Sequence, residues 1–314
     1  MKGDNMSYVL RTFNLSKRYK RQWALKDVNM NISKGDIYGF VGENGSGKTT
    51  VIRLVTGLIF ANEGNVELFG VRDDDPAILS ERKKIGAIVE SPSIYMNMSA
   101  AENLRLQCTL LGIKEGVEEK VVRVLDEVGL SELYESPKHA SNFSLGMRQR
   151  LGIGMALLGD PELIILDEPM NGLDPAGIVE IRELILKLNR DRQITFLISS
   201  HILSELALVA TKYGIISKGR IVREITPDDL MHECRPTVLI ETDNNNELLA
   251  IVSREFPVNE CNATGIGVRI YGEINLNELM RRIIDAGIVI NNIVCNRSNI
   301  EDYYLSLIGG ANHG

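Results

Sequence analysis

Three largely apolar runs stand out along the chain, and each is followed by polar or small residues. Strands of a parallel sheet that is covered on both faces have this composition. A helical period follows the second run, because Ile178, Ile181, Ile185 and Leu188 recur on one face of a helix that would pack on such a sheet. The pattern therefore predicts an α/β core with central strands Ile37–Val41, Leu163–Asp167 and Ile194–Ser200.

Two other patterns flank this core. Short extended stretches with period two run from Tyr8 to Ile32, broken by a polar turn at Lys17–Lys20, and Asn65–Phe69 repeats the pattern. They predict an antiparallel β-layer beside the core. Between Ala100 and Val128 the apolar residues return at helical spacing instead. We expect a helical insert there, over about residues 95–155.

The composition changes beyond Pro236, where strands and helices alternate in a polar setting. Extended stretches are expected at Thr237–Glu241, Val268–Tyr271 and Ile288–Val294, with helices between them. This region has no phosphate-binding loop and no pair of acids. We predict two domains, residues 1–230 and residues 231–314, the second being a small α/β scaffold without chemistry of its own.

Composition and charge narrow the function. The chain has 314 residues, a formal net charge of -7 and 44% hydrophobic residues, which is ordinary for a water-soluble globular protein. A negative chain does not favour nucleic acid bound through a broad basic surface. The apolar runs are shorter than the about 20 residues that a membrane span needs. We therefore expect a protein in the cytoplasm, with four reduced cysteines that lie far apart.

The stretch after the first apolar run carries the clearest chemistry. Gly42–Thr49 reads GENGSGKT, which is the GxxxxGK[ST] phosphate loop placed between a strand and a helix. Its glycines allow successive backbone N–H groups to point at one anion. Lys48 would reach the β- and γ-phosphates, and the Thr49 hydroxyl would lie on Mg²⁺. The loop alone leaves GTPases, kinases, recombinases and transport ATPases open.

The ends of the other two apolar runs add acids and a histidine. Asp167 and Glu168 point to opposite sides of an extended chain, so that one can lie beside a magnesium ion and the other can face an attacking water. His201 ends the third run, at the same predicted sheet edge as Lys48. A lone histidine is usually structural, but at this edge its imidazole can donate a hydrogen bond to a phosphate or a water.

Two loops and one aromatic residue have a structural and a functional interpretation each. Ser144 and Asp174 are both placed to cap a helix, and Pro175 suits a first helical position. The helix start that Ser144 caps is also an anion site. Tyr19 is either a packing residue in a turn or a ring on which adenine stacks.

Taken in order, these motifs resemble the nucleotide-binding subunit of an ABC transporter over roughly residues 8–225. The succession is the phosphate loop, the loop Ser144–Gln149, Asp167-Glu168, Gly172–Asp174 and His201. The resemblance implies a P-loop NTPase fold, ATP and Mg²⁺ as ligands, and a head-to-tail dimer. It implies Glu168 as general base, with His201 and Lys48 as catalytic partners, and Asp167 as a support for magnesium. The residues that it implies in nucleotide binding are Tyr19, Gly42, Glu43, Asn44, Gly45, Ser46, Gly47, Lys48, Thr49, Thr50, Glu90, Ser144, Gly146, Met147 and Asp174.

Two positions depart from the common family pattern. The loop Ser144–Gln149, which we call the signature loop, begins Ser-Leu-Gly-Met where Ser-Gly-Gly-Gln is commoner in the family. Leu145 therefore replaces a glycine. Glu90 stands where the family usually has a glutamine after a strand. A carboxylate can also bind Mg²⁺, but it adds negative charge near the triphosphate. We therefore predict slower or more magnesium-dependent hydrolysis than in a glutamine variant.

The glutamate, the signature loop and the ending Ile300–Leu305 resemble the ATPases of bacterial bacitracin and lantibiotic export and self-protection. That likeness implies separate membrane permease subunits as partners, docked through Ser91–Ala101 and the insert. It also implies a second ATPase subunit, no nucleic acid, and a place on the cytoplasmic face of the membrane. The alternatives are another exporter substrate, a soluble ABC ATPase acting on ribosomes or DNA, and a regulatory ATP binder.

Overall fold

The structure is a computed structural model, and it describes residues 8–257, 259–296 and 300–310. The chain divides into two compact units, Met1–Pro227 and Asp228–Gly314. The predicted limits, 1–230 and 231–314, remain a proposal for where the domains divide in function.

The first unit begins with an antiparallel layer. Its four strands pair in the order β2-β1-β4-β5. The predicted turn at Lys17–Lys20 is wrong in part, because the first strand continues to Tyr19, where Tyr19 pairs with Gln22. Several register shifts along this pair let the strand continue through a polar stretch that has no clean alternation. The strands are β1 (Tyr8–Tyr19), β2 (Gln22–Ser33), β4 (Glu63–Leu68) and β5 (Val71–Arg72).

The second layer is a six-stranded sheet in the order β10-β9-β3-β8-β7-β6. Its strands from β9 to β6 are parallel, and β10 is antiparallel to β9. Every residue of β3, β7 and β8 is buried, as the apolar runs predict. The strands are β3 (Ile37–Val41), β6 (Ile85–Ile88), β7 (Leu163–Asp167), β8 (Thr195–Ser200), β9 (Lys212–Ser217) and β10 (Arg220–Ile225).

Helices cover this sheet and form the insert. The long helix after β7 begins at Pro175, and the Asp174 carboxylate accepts the N–H of Gly177 at 3.0 Å, so the predicted cap is confirmed. Ser99 and Glu102 form a capping box at the start of the insert. The helices of this unit are α1 (Lys48–Val55), α2 (Ile78–Arg82), α3 (Ala100–Leu110), α4 (Val117–Glu127), α5 (Leu145–Leu157), α6 (Pro175–Arg192) and α7 (Leu203–Leu206).

The second unit has a β-α-β-β-α-β core with the sheet order β12-β13-β11-β14, which is a ferredoxin-like arrangement. The last strand lies later than predicted, at Asn292–Asn296 rather than Ile288–Val294. Ile288 lies outside the strand and packs in the core of this unit, so its apolar side chain reflects core packing rather than a strand. The elements are α8 (Pro227–Glu233), β11 (Thr237–Glu241), α9 (Asn245–Glu255), β12 (Cys261–Ala263), β13 (Gly267–Tyr271), α10 (Leu276–Asp285), β14 (Asn292–Asn296) and α11 (Ile300–Gly310).

Candidate functional site

The site lies where the parallel strands of the six-stranded sheet end. In the parallel register of β7 and β8, Asp167 is level with Ser199. The Ser199 hydroxyl donates to Asp167 Oδ1 at 2.6 Å and accepts the backbone N–H of Glu168 at 2.9 Å. This one buried hydroxyl therefore fixes the positions of both acids.

The phosphate loop joins β3 to α1, and its glycines are needed for its shape. Gly45 and Gly47 have φ angles of 82° and 114°, in the left-handed region that favours glycine. A Cβ atom at Gly42 would lie 2.5 Å from the Ile216 carbonyl oxygen, and one at Gly47 would lie 2.5 Å from Leu25. The loop thus packs against both the β9 strand and the antiparallel layer.

Backbone hydrogen bonds hold the same loop in place. Gly42 N–H donates to the Ser200 carbonyl at 3.2 Å, and Gly219 N–H donates to the Ser46 carbonyl at 2.9 Å. Within the loop, Ser46 N–H donates to the Glu43 carbonyl. Glu43, Asn44 and Gly45 are exposed at its tip.

Lys48 is buried, with 5% of its side chain exposed. Its Nζ donates to the Gly42 carbonyl at 2.5 Å and to the Glu43 carbonyl at 3.3 Å. The same ammonium lies 3.2 Å from Glu168 Oε1. The lysine charge is therefore shared between the loop and the second acid.

Glu168 also contacts His201, so the ends of β7 and β8 bring these two residues together. His201 Nδ1 lies 2.8 Å from Glu168 Oε2. An ionised carboxylate only accepts hydrogen bonds, so Nδ1 carries the hydrogen when Glu168 is charged. Glu168 has a φ angle of 50°, so its backbone turns out of the strand at this residue. Lysine and histidine together hold both oxygens of the carboxylate.

The first acid contacts the phosphate-loop helix. The Thr49 hydroxyl donates to Asp167 Oδ2 at 2.9 Å. Within the described part of the chain, no group of three or more His, Cys, Asp or Glu side chains is arranged to hold a metal. Magnesium does not need one, because it takes one or two protein oxygens and completes its shell with phosphates and water. The Thr49 and Asp167 oxygens fit that requirement.

The start of α1 fits a phosphate group. No side chain of the described residues caps this helix, and its first turn contains no acid. Its first N–H groups therefore have no partner within the helix and can bind an anion. Ser46 Oγ is buried at the same place without a hydrogen-bond partner among the described residues. A buried hydroxyl without a partner is costly, and a phosphate oxygen would satisfy it. Thr50 is half-buried in the first turn.

The signature loop and the Gly172–Asp174 loop form a second cluster. Ser144 Oγ accepts the Met147 N–H at 3.1 Å and caps α5, as predicted. Leu145 lies against the backbone of Gly172, and Leu173 lies over Gly146, where added Cβ atoms would be at 3.4 Å and 3.9 Å from the two leucines. Among the described residues, no hydrogen bond joins this cluster to Lys48.

Tyr19 and Glu90 lie at the margin of the site. Tyr19 ends β1 with 46% of its surface exposed, and Lys17 Nζ lies 5.5 Å from its ring centre. Glu90 follows β6 in a left-handed conformation with φ 66°. Its carboxylate forms an ion pair with Arg53 of α1. The structure therefore pairs Glu90 with Arg53, a residue that the sequence analysis did not single out.

Two residues of the site were missed, and each had a signal. Ser199 lies at the end of a buried strand, and the neighbouring parallel strand ends in the acids. Arg53 follows Thr49 by one helical turn, so both project from one face of α1. The Ser199 signal depends on pairing two distant strands, and the helical spacing of Arg53 gains its meaning only when the fold brings Glu90 to α1.

Comparison with known proteins agrees with this geometry. The profile of the family described as "ABC transporter" matches residues 25–171. The chain is 40% identical to the bacitracin transport ATP-binding protein BcrA of Bacillus licheniformis, over 98% of this chain and 100% of that protein. It belongs to the ABC transporter family, as an ATP-binding subunit, and members of this class are ATPases.

Other relatives and solved structures support the same assignment. The lantibiotic transport ATP-binding protein SrtF of Streptococcus pyogenes is 42% identical over 69% of this chain and 90% of its own length. The structure of cbiO1 from Clostridium perfringens, part of an ABC transporter complex, has a TM-score of 0.66 at 25% identity, over 80% of this chain and 97% of that one. A dimeric ATP-binding cassette in a post-hydrolysis state with ADP and Pi has a TM-score of 0.61 at 26% identity, over 69% and 98%.

These findings confirm the predicted fold and family. The predicted cassette fold, with its antiparallel layer beside a mostly parallel sheet, is the fold of these neighbours. Across the described residues, a helix that could span a lipid bilayer is absent.

Proposed function

We propose that this chain hydrolyses Mg–ATP at the edge formed by β3, β7 and β8, and thereby drives export of, or protection against, a peptide antibiotic of the bacitracin or lantibiotic kind. The support for the substrate class is the likeness to a bacitracin transport ATP-binding protein over nearly the full chain. The likeness to a lantibiotic transport protein covers 69% of the chain. Both relatives are transport ATP-binding proteins by description.

The observation that carries the hydrolytic role is the contact of both Glu168 oxygens with cationic or donor groups. Lys48 holds Oε1 and His201 holds Oε2. Lys48 turns to the β- and γ-phosphates when the triphosphate fills the loop, and Glu168 Oε1 is then free to accept a proton from water. His201 keeps the carboxylate oriented and contacts the terminal phosphate or the water.

Magnesium fits beside Thr49 and Asp167, whose oxygens already meet at 2.9 Å. The ion, when bound, neutralises charge that develops on the phosphates. Ser199 holds Asp167 in register for this role. Glu90 is a further candidate ligand, and Tyr19 is exposed enough to stack on adenine.

A second copy of this chain completes the nucleotide site. Ser144, Gly146 and Met147 lie at the start of α5 in a cluster with the Asp174 loop, which has no hydrogen bond to Lys48 among the described residues. A head-to-tail dimer brings that helix start to the partner's γ-phosphate. A solved dimeric cassette bound to ADP and Pi supports this arrangement.

A groove beside the site suits docking of membrane subunits. It has a volume of about 460 Å³ and is lined by the outer edge of β6, by Gln107 of α3, and by Gly152 and Met155 of α5. Ser91 and Pro92 also line it, directly after Glu90. A short permease helix in this groove would place the chain on the cytoplasmic face of the membrane.

The soluble alternative, an ABC ATPase acting on ribosomes or DNA, is less well supported. The net charge of -7 does not favour a nucleic-acid surface, and the relatives named above are transport proteins. Co-purification with membrane permeases, rather than sedimentation with ribosomes or DNA, would separate the two.

The decisive variant is Glu168→Gln. It should keep ATP binding and ATP-dependent dimerisation, while hydrolysis falls by about 10²–10⁴-fold, the usual contribution of a general base. Glu183→Gln, at an exposed position of α6, is the matched control and should change hydrolysis little. Normal turnover in Glu168→Gln would refute the role of this residue.

The substrate class is tested in a sensitive bacterium that expresses the chain with the membrane proteins that co-purify with it. Wild-type protein should raise the inhibitory concentration of bacitracin or of a lantibiotic, and Glu168→Gln should not. Equal sensitivity of both strains to each peptide would refute the antibiotic assignment while leaving the ATPase assignment intact.

A further inference from the structure

Two contacts join α1 to the ends of the neighbouring strands. Thr49 and Arg53 are four residues apart and so project from one face of α1. Thr49 donates to Asp167, at the end of β7, and Arg53 forms an ion pair with Glu90, just after β6. The two contacts therefore lie one helical turn apart on the same face of α1.

Glu90 lies at the same sheet edge as the acids of the nucleotide site. In the parallel register of β6 and β7, Ile88 is level with Leu166. Glu90 and Glu168 each follow that pair by two residues, so both leave the sheet at its carboxyl edge. Both have left-handed φ angles, 66° and 50°, so the two chains turn away from the sheet at the same level.

The Arg53–Glu90 contact lies about one helical turn along α1 from the Thr49–Asp167 contact. Four residues of an α-helix span about 6 Å along its axis. A carboxylate that binds Mg²⁺ lies only about 2.0–2.1 Å from the ion. A magnesium ion beside Thr49 and Asp167 would therefore have to draw Glu90 away from Arg53.

We propose that Arg53 is a positioning residue that competes with magnesium for the Glu90 carboxylate. Without nucleotide, Arg53 holds Glu90 one helical turn away from the Thr49–Asp167 pair and balances its charge. When Mg–ATP binds, the Glu90 carboxylate leaves Arg53 and moves toward the metal.

The competition is modest, because the pair is exposed. The side chains of Arg53 and Glu90 are 39% and 62% accessible to solvent. Ion pairs at such positions are weak, and removing the arginine should strengthen magnesium-dependent nucleotide binding by about two- to five-fold. The inference rests on the Mg–ATP site proposed above.

The test measures binding rather than turnover. A fluorescent, non-hydrolysable ATP analogue is held at fixed concentration, and MgCl₂ is titrated to find the concentration that gives half-maximal binding. Arg53→Gln should lower this concentration by about two- to five-fold, and Arg53→Lys, which keeps the charge, should restore the wild-type value. Arg105→Gln, which breaks the Arg105–Glu118 ion pair on the insert, is the matched control and should have no effect.

The same titration is repeated with Glu90→Gln, alone and combined with Arg53→Gln. The inference holds if Arg53→Gln has no further effect once Glu90 is neutral. It is overturned if Arg53→Gln causes the same shift in both backgrounds, since the arginine would then act directly on the nucleotide charge, or if it causes no shift in either. Wild-type protein that binds no nucleotide at any magnesium concentration would instead refute the proposed function itself, and with it this inference.

Discussion

The six-stranded sheet of the first unit and the four-stranded sheet of the second are both packed against helices, yet among the residues that the structure describes only the first sheet gathers a buried polar site. Lys48, Asp167, Ser199 and Ser200 are all buried near its carboxyl edge. In a parallel sheet every strand ends at the same edge, so side chains from distant segments converge there. In the antiparallel second sheet, neighbouring strands end at opposite edges. Strand direction therefore decides where chemistry can assemble.

The largest effect should come from the charge at that edge. Lys48→Ala removes the buried ammonium that we propose stabilises phosphate charge, and kcat for ATP hydrolysis should fall by about 10²–10³-fold. Arg269→Ala removes an exposed cation from β13 in the second unit and should leave kcat unchanged. A steady-state ATPase assay compares them. Equal losses in the two variants would contradict the comparison.

Truncating one buried isoleucine in each sheet should affect the urea midpoint for nucleotide binding differently. Ile165 and Ile270 are both fully buried, in β7 and β13, and truncation of either to alanine should cost about 2–5 kcal/mol of unfolding free energy. In urea, Ile165→Ala should lose nucleotide binding at a lower concentration than wild type. Ile270→Ala should keep the wild-type midpoint for nucleotide binding. A shift of that midpoint in Ile270→Ala would show that the units do not unfold independently.

Two buried hydroxyl groups, one in each unit, allow a closer comparison because they make the same kinds of hydrogen bond. Ser199 and Thr242 each donate one hydrogen bond, at 2.6 and 2.7 Å, and accept one from a backbone N–H, at 2.9 and 3.2 Å. Ser199→Ala and Thr242→Val should each lower the free energy of unfolding by about 1–3 kcal/mol. Only Ser199→Ala should also lower kcat, by about tenfold, because Asp167 and Glu168 lose their common partner. Unchanged kcat in Ser199→Ala would show that Ser199 does not help to position the acids for hydrolysis.

The smallest effect concerns exposed carboxylates, where the two units should behave alike. Hydrogen bonds from Arg105 lower the pKa of Glu118 to about 2, and a hydrogen bond from Arg235 lowers the pKa of Glu260. A carboxylate with a lowered pKa adds stability above its unfolded pKa, near 4.5 for Glu118, and that stability is lost as pH falls toward about 2.

The difference in thermal midpoint between wild type and Glu118→Gln should therefore be present at neutral pH, shrink below about pH 4.5, and weaken in high salt. The same sign is expected for Glu260→Gln. A difference that grows on acidification would contradict this reasoning.

Local patterns predicted most of the fold and much of the site. The phosphate loop, the acid pair at the end of β7 and the caps at Ser144 and Asp174 depend on neighbouring residues, and the structure has each where the pattern indicates. Long-range pairing was harder to predict. The end of β1 is set by its pairing with β2, and the place of β14 is set by its pairing with β11. The Ser199 bridge and the Arg53–Glu90 pair likewise join segments that only the fold brings together.

The outer strand β6 has a consequence for how the molecule opens. Of the strands within the described residues, it pairs with β7 alone, and its register covers Ile85 to Ile88. A four-residue strand with one neighbour has fewer backbone hydrogen bonds to break than the central strands or the six-residue outer strand β10, so its amide hydrogens should exchange with solvent earliest in the sheet. The sheet would then open first at β6, the strand that leads to Glu90. A ligand that rigidifies this strand would be detected as slower deuterium uptake there.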